Sequence, residues 1–165
     1  MTTENYYTKQ KQIYFKAFQH LSHLENALKC IKREGIFNSQ ISILGKTTQF
    51  FEDKEIEISD EFFSIKKYWK NQLGHSVNFG SFYNPQIGTI FIVGSLASTF
   101  LHKINGKPLA ALSSGSYGIF RGIGASKIEA SAYLKLLNRG NFLLVFRGFE
   151  NELHQLENLL QAVVE

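Results

Sequence analysis

Residues 126–148 read SKIEASAYLKLLNRGNFLLVFRG, a helix and a strand set back to back. Ser126 and Glu129 form an S-x-x-E capping box, in which each side chain can satisfy the other residue's free backbone amide. Ile128, Leu134 and Leu137 supply the apolar face, and Gly140, just after Arg139, stops the helix. Residues 142–146 then form a continuous apolar strand that ends at Arg147 and Gly148.

The same grammar opens the chain. Residues 12–18 read as a strand, with Ile13, Phe15 and Ala17 alternating against Tyr14 and Lys16. Ser22 and Glu25 form another S-x-x-E box; Leu21, Leu24, Leu28 and Ile31 make one apolar stripe, and Gly35 ends it. Residues 41–45 are a second strand. Two helix-then-strand units with matching start and stop signals suggest a split β-α-β pair.

Between them, Thr89, Ile90, Phe91, Ile92 and Val93 read as a strand bounded by Gly88 and Gly94, with Pro85 closing the loop before it. Residues 151–164 place Leu153, Leu156, Leu160 and Val163 at helical spacing, with Asn151 as the N-cap. These elements predict one α+β domain over residues 1–165. Its sheet is ferredoxin-like, about four antiparallel strands with helices on one face, an insert over 47–84 and an extra C-terminal helix.

The insert is dense in aromatics, Tyr68, Trp69 and Phe82 among them, with a helix expected from Asp60 to Gln72. Either it covers the domain's own sheet or part of it covers a partner.

A chain of 165 residues, 44% of them hydrophobic, is long enough to bury a core and should fold. Its net charge of +4 comes from dispersed lysines and arginines beside acids, which argues for solvated helix faces and against a specific nucleic-acid partner. The one cysteine, Cys30, excludes an internal disulfide framework. Polar residues 1–12, including Glu4, Lys9 and Lys11, predict no secretory signal and a cytoplasmic protein. Residues 71–102 lack Asp, Glu, Lys and Arg, but their apolar part is short and broken by glycines, so no transmembrane segment is expected.

From Gly80 onward the pattern resembles a bacterial family of small general-stress or low-temperature-induced proteins, many of them domains of unknown function. The resemblance rests on Pro85, Gly88 and Gly94 around the strand, Gly118, Gly122 and Gly124 before the helix, Glu129, Ala130 and Tyr133 within it, and Gly140 before the last strand. It implies a stress-associated or accessory role with no established reaction.

The chemistry-bearing motifs do not assemble a catalytic set. Gly45, Lys46 and Thr47 echo the end of a phosphate-binding loop, but Gln40 stands where its first glycine belongs. His20 and His23 straddle a helix start and lack a third ligand, so neither a metal nor a cofactor is expected. Ala110, Ser114, Gly118 and Gly122 recur every fourth residue, and on a helix such small residues let another backbone approach, either within the chain or from another subunit. The expected function is therefore a non-enzymatic binding or assembly protein. It would form a homo-oligomer or dock into a larger complex through Ala110, Ser114, Gly118, Gly122, Tyr68, Trp69 and Phe82. The alternative is a regulatory domain that binds an anion or small ligand at the helix start, through Arg121, Ser126 and Lys127.

Overall fold

The structure, a computed structural model, describes residues 10–35, 40–54 and 61–162. Asp60 and Val163, expected in helices, and the N-terminal Glu4 and Lys9 lie outside the described residues. In chain order the elements are β1 (Gln12–Phe18), α1 (Leu21–Arg33), β2 (Ile41–Lys46), α2 (Thr47–Lys54), α3 (Glu61–Leu73), β3 (Phe79–Asn84) and β4 (Gly88–Gly94). There follow α4 (Ala97–Phe100), the short hairpin β5 (Lys103–Ile104) and β6 (Lys107–Pro108), a 3-10 turn (Leu109–Ala111), α5 (Gly115–Gly122), α6 (Lys127–Asn138), β7 (Phe142–Gly148) and α7 (Glu150–Gln161).

Five strands form one antiparallel sheet in the order β1-β7-β2-β4-β3. The α+β class holds, but the sheet has five strands rather than about four. The fifth is β3, which lies inside the stretch expected to be an insert. The aromatic segment is therefore part of the sheet plan: α2 and α3 carry the chain from β2 across β4 to β3.

Helices cover both faces, not one. On the first face α1, α2, α3 and α7 pack Leu24, Leu28, Ile31, Phe50, Trp69 and Leu156 against Ile43, Phe91, Phe142 and Leu144. On the second, α4, α5 and α6 pack Phe100, Ile119, Phe120, Ala130 and Leu137 against Leu44, Ile90, Ile92, Leu143 and Val145. The reason is the strands' own composition. In β2, β4 and β7 consecutive residues point to opposite faces and nearly all are apolar, so each face needs a cover. Each crossover between parallel strands hops over one antiparallel strand. Two pass over the first face and the link from β4 to β7 passes over the second, which gives that link the opposite hand to the others.

At the centre of the sheet Gly45 is the point where two rings meet. A Cβ there would lie 2.6 Å from a carbon of the Phe142 ring and 2.7 Å from one of Phe91. The glycine of the apparent phosphate loop is thus a packing residue, and the chain runs from β2 into α2 with no loop between.

Gly45→Ala should destabilise the protein by about 1–3 kcal/mol, because one added methyl overpacks two buried rings. Chemical denaturation checks this; a variant as stable as the parent contradicts the packing described at the sheet centre.

Candidate functional site

The segment between β4 and α6 is folded back on the end of β3 by one buried side chain. Asn84 is 2% exposed, and its Nδ2 donates to the carbonyl oxygens of Ala110 at 2.9 Å and Leu112 at 3.3 Å. Its Oδ1 accepts from the Gln86 amide at 2.8 Å, and the Ser116 hydroxyl donates to the same Ala110 oxygen at 3.1 Å. A Cβ on Gly115 would collide with the carbonyl of Leu109, so the start of α5 lies against the 3-10 turn with no room for a side chain.

This fold-back leaves a trough of about 500 Å³ along α5, walled by Leu109, Leu112, Ile119, Ile123 and Thr99. Its floor is glycine. Gly118 and Gly122 are exposed, and nothing lies within 4 Å of where a Cβ would stand on either. Glycine in an exposed helix costs stability relative to alanine. Internal packing does not account for these two.

The small residues expected on one helical face are not on one helix. Ala110 is buried in the 3-10 turn, Ser114 is the left-handed residue (φ 63°) before α5, and only Gly118 and Gly122 share the helix. All but Ala110 line the trough. Trp69 and Phe82, candidates for a partner contact, are core side chains at 0% and 4% exposure, one on each face of the sheet. They cover the domain's own sheet. The apolar surface that is open lies elsewhere, on Phe62, Phe63, Tyr83, Ile104 and Ile128. Ile128, assigned by its spacing to the buried face of α6, is 83% exposed; Ala130 and Leu137 make that contact, with Tyr133 and Leu134 partly buried beside them.

The helix start proposed for an anion is occupied by the chain itself. Ser126 Oγ accepts from the Glu129 amide at 3.1 Å, and a Glu129 carboxylate oxygen accepts from the Ser126 amide at 2.9 Å. The second S-x-x-E box thus forms as read, and it places a negative charge where an anion would sit. Arg121 donates to the Ala125 carbonyl at 3.0 Å, and Lys127 is exposed.

The first S-x-x-E box does not form. Helix α1 begins two residues early, at Leu21, with His20 before it and no cap from its own side chains. Asp53 of α2 caps it instead, accepting from the Leu21 amide at 2.8 Å. Glu25 is drawn away to Lys54 at 2.8 Å and to the Tyr68 hydroxyl. Burial pushes the Tyr68 phenol up, and the hydrogen bond and charge of Glu25 push it further the same way. Tyr68 is thus engaged inside the chain. Asp53 and Asn84 escaped the sequence reading because both act on partners more than 20 residues away; the only local hint was an Asn before the Pro85 turn. The rings of His20 and His23 meet edge to face at 5.3 Å. Among the described residues no three His, Cys, Asp or Glu side chains cluster as metal ligands would, and no helix is long and apolar enough to cross a membrane.

Compared with protein-family models, with curated proteins and with solved structures, the chain matches none.

Asn84→Ala should cost about 1–3 kcal/mol, since the Leu112 carbonyl loses its Asn84 donor and the Ala110 carbonyl is left with Ser116 alone, and should raise amide hydrogen exchange across 110–118 more than elsewhere. Uniform exchange rates would contradict the role given to Asn84. A raised tyrosine contributes stability below its unfolded-state pKa of about 10 and loses it as pH rises above that value. Stability should therefore fall above that pH, and Tyr68→Phe should make the fall shallower in alkaline denaturation; an unchanged slope contradicts the half-buried Tyr68–Glu25 contact.

Proposed function

We propose that this protein is a non-enzymatic assembly domain that pairs with a second copy of itself through the α5 trough. The observation that carries the reading is the pair of exposed glycines, Gly118 and Gly122, whose missing side chains hold an apolar trough open. A hole of this kind admits another backbone or an apolar knob at close range. The knob we assign to this contact is Ile128, which stands exposed in the first turn of α6, five residues along the chain from the trough wall at Ile123. In a two-fold contact the knob of each subunit fills the hole of the other, because both copies carry the same hole and the same knob.

The accessory, stress-associated role follows from the resemblance described above, and a cytoplasmic setting goes with it. For the fold we propose a relation to the ferredoxin-like plan. Strands β7, β2, β4 and β3 stand in the order that plan uses for its fourth, first, third and second strands; β1 with α1 is added at the edge, and one crossover has moved to the other face.

The test contrasts two substitutions at one position. Gly118→Ala should raise the stability of the single chain by up to about 1 kcal/mol, because alanine is the better helix former and meets nothing. Gly118→Leu should fill the trough and lower the mass measured by light scattering at high protein concentration, while leaving a folded chain. Ile128→Asp should lower the mass in the same way from the other side of the contact. A parent protein that stays monomeric at high concentration, or variants that keep its mass, would falsify the self-association reading.

A further inference from the structure

We propose that the cavity between α3 and the outer strands of the sheet is a binding site for a small neutral molecule bearing one apolar ring and one hydrogen-bonding group. The cavity, of about 180 Å³, is lined by Thr47, Phe62, Ile65, Phe79, Ser81, Thr89 and Phe91. It lies on the first face of the sheet, while the α5 trough lies on the second, so it stands independently of the assembly reading.

Size, charge and an unmet hydrogen bond define the ligand. An engineered apolar cavity of about 150 Å³ holds benzene, so this one has room for a single ring with a small substituent. Among the described residues no acid, base or histidine lines it, which favours a neutral guest over an ion, since an ion would leave water without a counter-charge. Phe91 forms a rigid inner wall, fully buried and stacked on Trp69 with ring centroids 5.7 Å apart. Phe62 is 47% exposed and meets Phe79 edge to face at 5.1 Å, which makes it the outer wall past which a guest would enter.

Thr47 supplies the specific contact. It is the first residue of α2 and only 3% exposed, yet among the described residues its Oγ1 has no hydrogen-bond partner. A buried hydroxyl without a partner is destabilising, and most such groups in folded proteins are satisfied. A guest hydroxyl or carbonyl would satisfy this one, because a threonine hydroxyl both donates and accepts. Ser81 and Thr89 extend the polar side of the same cavity.

The experiment is an NMR titration of the full chain with two probes of similar shape, phenol and toluene, on the parent, Thr47→Val and Thr47→Ser. Phenol should move the amide signals of the lining residues and bind more tightly than toluene. Thr47→Val keeps the side-chain volume; it should weaken phenol by about tenfold and leave toluene unchanged. Thr47→Ser should keep the preference for phenol. Shifts at the lining residues with neither probe, shifts confined to other surfaces, or equal phenol binding by parent and Thr47→Val would each overturn the proposal. Should Thr47→Val fail to fold, loss of the phenol preference in Thr47→Ser would overturn it as well.

Discussion

The structure depends on the burial of its central strands on both faces. Residues 41–45 of β2 are all buried, and only Ser42 among them carries a polar side chain. That hydroxyl is satisfied on the spot, accepting from the Leu96 amide at 2.8 Å and lying 3.2 Å from the Ser95 hydroxyl. A strand of this kind cannot leave one side to water, so helices must be supplied above and below. With both sides filled, space at the sheet centre becomes scarce, and Gly45 yields its side chain to Phe91 and Phe142. The lower edge of the arrangement is closed by Tyr133 of α6, which stacks on Phe15 of β1 at 4.6 Å and donates to the Phe15 carbonyl at 3.2 Å.

The second helical layer inherits a harder task than the first. Apart from α6 it is built from short pieces, a four-residue helix, a two-residue-strand hairpin, a 3-10 turn and α5, none of which is long enough to be stable by itself. Buried polar anchors take the place of length. Asn84 and Ser116 converge on the Ala110 carbonyl, and Asn84 also holds Leu112, so three separate turns share one network. The trough is a direct product of that network: α5 is pressed against the turn at Gly115 and left bare at Gly118 and Gly122. The open surface and the anchored interior therefore belong to one device, and both lie on the face opposite the Thr47 cavity.

Local signals were readable and distant ones were not. The strands 12–18, 41–45, 89–93 and 142–146, the helix stops at Gly35 and Gly140, and the Ser126–Glu129 box all stand where periodicity and capping chemistry put them. The unbroken apolar run 142–146 already carried the sign of two-sided burial, whereas the alternation in 12–18 pointed to one covered face. Strand β3 was hidden because Gly80 and Ser81 interrupt its apolar pattern; Gly80 is there to admit Leu101. For the site, the glycines at 118 and 122 were legible as small residues at helical spacing, but their exposure was not, since spacing alone cannot distinguish a packed groove from an empty one. For Trp69 and Phe82 size and aromaticity left two readings open, a partner or the domain's own sheet, and burial decides for the sheet.

The claim that α5 is a contact surface between copies of this chain is tested most directly by isotope-filtered NMR on a mixture of labelled and unlabelled protein. The account predicts intermolecular contacts from the α-protons of Gly118 and Gly122 to the side-chain methyls of Ile128 in the other copy. An associated sample whose intermolecular contacts fall at Phe63 and Tyr83, with none along α5, would contradict it.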